Sequence, residues 1–135
     1  MKKLIVLVLL ICSAKIFAQE NAVINKEIAS SNEIIYEEAD KTPEYPGGIN
    51  LFRRNFSQNF DITKIDGMGT MKSEVQFVIS KEEIITDITV TGNNRSMNRE
   101  MERTIKALSI TRWKPAEIKG QPVKYHFKLP MTMNL

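Results

Sequence analysis

The sequence predicts an α+β domain built in two layers, with two helices packed on a three-stranded antiparallel sheet. Residues 49–60 and 96–109 repeat apolar side chains at steps of three and four, the period of a helix with one buried face. Residues 70–80, 84–92 and 123–133 instead alternate apolar and polar side chains, the period of strands buried on one side. In chain order the segments read helix, strand, strand, helix, strand, which suits helices on one side of an antiparallel sheet.

A chain of 135 residues has room for one domain and a leader. Residues 1–18 carry the parts of an export signal: Lys2 and Lys3, an apolar run, and a short exit ending at Ala18, after which cleavage is expected. The alternative is a lasting membrane anchor, but the uncharged run over residues 4–14 falls short of the roughly 18–20 residues that a bilayer span takes. Cys12 follows Ile11, where a lipoprotein signal places a small side chain. Cleavage removes the single cysteine, so packing must stabilise the domain without disulfides.

The net charge of +3 is matched by Lys2, Lys3 and Lys15 of the leader, and the balanced remainder gives no reason to expect nucleic acid as a partner. Charge is unevenly divided along that remainder. Residues 20–44 hold seven acids against two lysines, whereas residues 45–135 hold fourteen basic residues against nine acids. Residues 19–42 show no sustained apolar period and read as a flexible acidic lead-in, with Glu37, Glu38 and Asp40 solvated or loosely paired with the basic domain at 43–135.

The domain opens with PEYPGG, in which Pro43, Pro46, Gly47 and Gly48 fix a turn. In the helix that follows, Ile49, Phe52, Phe56 and Phe60 share one face, while Arg53 and Arg54 lie off it. DITKIDGMG is a loop ended by Gly67 and Gly69. In the first strand Met71, Ser73, Val75, Phe77 and Ile79 face inward, with Lys72, Glu74, Gln76 and Val78 opposite. KEE makes a tight connection to the second strand, whose inward residues are Ile84, Ile88 and Val90. The second helix buries Met97, Met101, Ile105 and Leu108, with Ser96 or Asn98 as its cap, and carries Arg95, Arg99, Arg103 and Lys106 on a solvated face beside Glu100 and Glu102. ITRWKPAEIKGQP is an extended link with a Gly-Gln-Pro turn at Gly120. In the last strand Val123, Tyr125, Phe127, Leu129 and Met131 alternate with Lys124, His126, Lys128, Pro130 and Thr132.

Catalysis finds little footing. His126 is the single histidine and sits on the wet face of a strand, so it has neither fellow metal ligands nor triad partners. The glycines at residues 67–69 lack the rest of a phosphate loop, and Glu82 and Glu83 share a hairpin tip. Neither an enzyme nor a bound cofactor is expected.

The ordered set of PEYPGG before a helix, the hairpin GTMKSEVQFVISKEEIITDITV, the helix MNREMERTIKAL and then TRWKPAEIKGQPVKYHFKLPMTM resembles the TonB C-terminal domain family, particularly its short periplasmic versions in Gram-negative bacteria. The resemblance spans residues 43–133. It implies structural roles for Pro46, Gly47, Gly48, Trp113, Pro115 and Gly120, and a docking role for the last strand. By that likeness an outer-membrane TonB-dependent transporter adds an extended segment to the strand edge formed by Val123, Lys124, Tyr125, His126, Phe127, Lys128 and Leu129. Lys124 and Lys128 attract acidic partners, and Trp113 either secures the approach to the strand or fills the core.

Two departures shape what this implies. QNFDITK stands where the family has Tyr-Pro after the first helix, and residues 19–42 contain no proline for a long spacer. Two functions follow as expectations: a TonB-type component of energy-coupled transport, or an untethered periplasmic adaptor or competitor that binds envelope proteins or peptidoglycan. Cleavage that leaves Gln19 first separates a periplasmic protein from an inner-membrane-anchored one. An exposed strand edge also allows a homodimer by strand pairing. All of these readings require a last strand left unpaired along its outer side. A strand in the middle of the sheet, or one covered by the chain's own tail, contradicts them.

Overall fold

The structure, a computed structural model, describes residues 33–135, so the expected export signal and the lead-in up to residue 32 lie outside the described residues. Over the described residues the fold is α+β, with two helices and a mixed five-stranded sheet. In chain order the elements are β1 (Ile35–Tyr36), α1 (Ile49–Asn59), a 3-10 turn (Ile62–Lys64), β2 (Thr70–Ile79), β3 (Ile85–Gly92), α2 (Arg95–Leu108), β4 (Ala116–Ile118) and β5 (Gln121–Asn134). The sheet order is β1-β5-β2-β3, with β4 also paired to β5.

The three expected strands are present as an antiparallel β3-β2-β5 unit, but the expected three-stranded sheet is extended by two short elements. β4 forms a hairpin with β5, pairing Ala116 with Val123 and Ile118 with Gln121. The tip of this hairpin is Lys119-Gly120, and both residues have positive φ, as a two-residue hairpin turn with the right twist demands. The turn thus lies one step earlier than the Gly-Gln-Pro reading, and Gly120 has the structural role expected of it. β1 pairs with β5 in parallel, which makes the sheet mixed.

Period-two patterning was legible along β2, where Met71, Ser73, Val75, Phe77 and Ile79 are all buried. In β3 the pattern is broken by a bulge. The register with β2 slips between Gln76 and Val78, and Asp87 opposite takes positive φ, so the inward set becomes Ile85, Ile88 and Val90. Ile84, expected inward, precedes the strand and is 43% exposed.

Both helices bury their stripes in one cluster with the inward residues of β2: Phe52 and Phe56 from α1, and Met97, Met101, Ile105 and Leu108 from α2. Ile49, expected on the buried stripe, begins α1 and is 41% exposed. The turn before it follows from the glycines. Gly48 N–H bonds the Tyr45 carbonyl at 2.8 Å around Pro46-Gly47, and Gly47 and Gly48 both have positive φ, which side chains resist. α2 is capped two residues before Ser96 and four before Asn98, since Asn94 rather than either of these accepts the Met97 N–H at 2.8 Å. Ser96 and Asn98 are used elsewhere: Ser96 accepts the Asp66 N–H, and Asn98 accepts the Ser73 hydroxyl.

One buried charge ties the helices together. Glu100 on α2 is 3% exposed; it accepts the Asp61 N–H at 2.9 Å and is paired with Arg103, which also donates to the Asn59 carbonyl at the end of α1. The Arg103 hydrogen bond holds the Glu100 carboxyl below the usual carboxylate range; burial opposes this and the Asp61 N–H assists it. A carboxyl whose value is lowered on folding adds stability above its unfolded value and loses it as pH falls through the folded one. Glu100→Gln is therefore expected to cost about 1–3 kcal/mol at neutral pH. The deficit is expected to shrink in acid, measured by urea unfolding of both proteins across the carboxylate range.

Candidate functional site: the outer side of β5

β5 is the longest strand, and its alternation has two consequences at once. Phe127, Leu129, Met131 and Met133 pack against the core cluster, while Lys124, His126 and Lys128 lie on the opposite face. Main-chain groups alternate as well, and the phase can be fixed. Gly69 and Leu135 exchange both backbone hydrogen bonds at 2.7 and 3.2 Å, and the β2–β5 register continues unbroken from Thr70 opposite Asn134 to Ile79 opposite Tyr125. In an antiparallel ladder such doubly bonded pairs recur at every second residue. Tyr125, Phe127, Leu129 and Met131 thus direct their N–H and C=O toward β2, and Lys124, His126, Lys128 and Pro130 direct theirs to the other side. The Asn93 N–H bonded to the Lys72 carbonyl fits the same phase, since even residues of β2 face β3. Pro130 has no N–H to offer, so a strand added on the outer side meets Lys124, His126 and Lys128 and then loses its next donor.

The expectation of a last strand unpaired along its outer side fails over Lys124 and Tyr125, and the condition is met only for the part of β5 beyond β1. β5 lies between β1 and β2, and the strand that covers it comes from the chain's own lead-in. Ile35 pairs with Lys124 and Tyr36 with Tyr125. The compact unit starts at Ile35, so residues 35–42, expected to be a flexible lead-in, are docked. After β1 this segment passes the hairpin tip, where Asp40 Oδ2 accepts the Lys119 N–H at 2.8 Å, and reaches the far side of β4, where Lys41 and Glu117 exchange backbone bonds of 3.1 and 3.0 Å. Glu44 and Lys114 do the same at 3.1 and 2.8 Å. The contact has a simple cause: β4 and the start of β5 offer main-chain groups that a neighbouring extended segment satisfies.

Of the seven residues expected to form the docking edge, Val123 is paired with β4, and Lys124 and Tyr125 are paired with β1. Tyr125, Phe127 and Leu129 turn their main chain toward β2. His126 and Lys128 remain, with main-chain groups toward the outer side, His126 at the end of β1 and Lys128 beyond it, and with side chains on the face opposite the core. No described strand runs alongside Lys128 there.

Glu37, read from the sequence only as a solvated or loosely paired acid, is the residue that completes this site. Its carboxylate lies 3.3 Å from His126 Nδ1 and 3.1 Å from Lys128 Nζ. The hydrogen bond from Lys128 chiefly, then that from His126, holds the Glu37 carboxyl below the usual carboxylate range. Beside it a depression of about 310 Å³ on the face opposite the core is lined by Ile35, Glu37, Val78, Asp87, Thr89 and His126. Val78, placed on the polar side by its parity, is buried there. A two-residue strand has no period to detect, which is why only the unpaired-looking acids at 37, 38 and 40 hinted at it.

Trp113 fills the core. It is 1% exposed and contacts the rings of Tyr45, Phe52, Phe77 and Phe127 at centroid distances of 4.9 to 6.2 Å. Its backbone N–H, not the indole N–H, bonds the Glu83 carbonyl at 3.1 Å, so the residue at the centre of the aromatic cluster also fixes the start of the β4–β5 hairpin, with half-buried Pro115 just before β4. Among the described residues no three His, Cys, Asp or Glu side chains gather as a metal site, and no helix is long and apolar enough to cross a membrane. No family model, curated protein or solved structure matches the chain.

The pairing around Glu37 gives a direct test. Lys128→Met is expected to raise the Glu37 titration midpoint toward the ordinary glutamate value of about 4.3, read by carboxyl NMR. An unchanged midpoint contradicts the contact.

Proposed function

We propose that the chain is a TonB-like docking module of the periplasm, which binds an extended segment of an outer-membrane transporter by strand addition at the outer side of β5. It acts as an interaction domain and performs no catalytic step. The observation that carries the reading is the phase of β5: Lys124, His126 and Lys128 form one outward row of main-chain groups, in which Lys124 and His126 hold a short parallel strand and Lys128 has no described strand beside it. Strand addition needs such a row, because main-chain bonds give the affinity and alternate side chains the selectivity. Support also comes from the ordered motifs of residues 43–133, from PEYPGG to the final strand.

Basic side chains at Lys124, His126 and Lys128 suit a segment that carries carboxylates. An untethered adaptor or competitor that engages envelope proteins or peptidoglycan uses the same edge without transducing energy, and the partner recovered separates the two.

The phase of the strand makes the test specific. Lys128→Pro removes an outward N–H, as Pro130 already does, and leaves the β2 ladder intact. Lys128→Met removes only the charge. Against synthetic peptides from the periplasm-facing ends of outer-membrane transporters, wild type and Lys128→Met are expected to bind and Lys128→Pro to lose at least about tenfold, a deficit near 1.4 kcal/mol. Equal binding by Lys128→Pro contradicts strand addition. Phe127→Pro serves as the contrast, since it breaks the β2 ladder and is expected to lower the unfolding midpoint itself.

A further inference from the structure

We infer that the docking edge selects an extended segment running parallel to β5, with an apolar side chain two positions before a carboxylate, and that residues 35–37 are the resident occupant such a segment displaces. This rests on the strand-addition reading and specifies its ligand. Each part of the specification is taken from what β1 does.

The direction comes from the register. Ile35 lies opposite Lys124 and Tyr36 opposite Tyr125, so β1 and β5 run the same way. In a parallel ladder Tyr36 then sits between the outward main-chain groups of Lys124 and His126. The side-chain requirement comes from the face. Paired residues share a face, so Ile35 lies on the Lys124 side of the sheet and Glu37 on the His126 side, which is the same face. There Ile35 lines the depression beside buried Val78, and Glu37 spans His126 and Lys128. An apolar group and a carboxylate two positions apart match these two features, and the residue between them points to the other face.

Displacement follows from how little holds β1. It has two paired residues, and its Ile35 remains half exposed. After Tyr36 the chain departs toward the hairpin tip, leaving the main chain of Lys128 without a strand beside it. An incoming segment in the same register keeps the contacts of β1 and adds a pairing at Lys128, up to the block at Pro130. The incoming strand is therefore longer by at least one bonded position than the one it replaces.

The test uses the full chain and a defined probe, a fluorescent peptide of sequence Glu-Ile-Ile-Tyr-Glu-Glu, copied from residues 33–38. A second peptide has glutamine at the place of Glu37. Tyr36→Pro removes the central donor of β1, and Glu37→Lys removes its carboxylate. Both variants are expected to bind the first peptide at least about tenfold more tightly than wild type, because an occupied edge lowers apparent affinity by the fraction that is free. The glutamine peptide is expected to bind all three proteins more weakly. Equal affinity for wild type and variants overturns the resident occupant, and equal affinity of the two peptides overturns the carboxylate rule. Concentration-dependent dimers of wild type that Tyr36→Pro abolishes also overturn it, by showing that the segment occupies a second copy. If transporter peptides bind wild type and Tyr36→Pro alike, with no preference for a carboxylate, this inference fails while strand addition stands. Indifference to Lys128→Pro removes strand addition itself.

Discussion

The alternation of β5 governs the molecule. One set of its residues sends apolar side chains into the core and main-chain bonds to β2; the intervening set sends polar side chains to the opposite face and main-chain groups to the outer side. Because both alternations have the same period, stability and docking draw on different residues of one strand. Changing Phe127 or Leu129 touches the core, whereas changing His126 or Lys128 touches the edge. The Gly69–Leu135 pair fixes the phase at one end, and the β4 hairpin anchors the other.

The remaining architecture holds that strand in place. Trp113, Phe52 and Tyr45 pack against Phe77 and Phe127, joining α1 and the approach to β4 to the centre of the β2–β5 pair. The Pro-Gly-Gly turn aims α1 at this cluster, and Glu100 with Arg103 links the end of α1 to α2. The acidic segment then wraps the β4–β5 hairpin, contributing few apolar contacts but several main-chain bonds. A segment held mainly by exposed hydrogen bonds opens more readily than the core does.

Sequence patterning identified the elements in which many residues obey one period. β2, α2 and β5 were legible because Met71 to Ile79, Met97 to Leu108 and Phe127 to Met131 keep their spacing throughout. Shorter or interrupted elements were not. β1 has two residues and β4 three, and the bulge at Asp87 changes parity within β3, so Ile84 gave way to Ile85. At the candidate site the correct strand was legible, but the phase of its hydrogen bonds was not. Side-chain pattern tells which face is buried, and only the pairing partner tells which edge each main chain serves; Pro130 was the one residue whose chemistry bore on it. Glu37 was missed for a related reason, since its partners are 89 residues away at His126 and on Lys128.

The central claim is that the outer side of β5 beyond β1 offers free main-chain bonding, and amide hydrogen exchange along the strand tests it most directly. The account predicts slow exchange at Phe127 and Leu129, bonded to β2, and fast exchange at Lys128 between them. A Lys128 amide protected as strongly as its neighbours shows that the edge is already satisfied and contradicts the account.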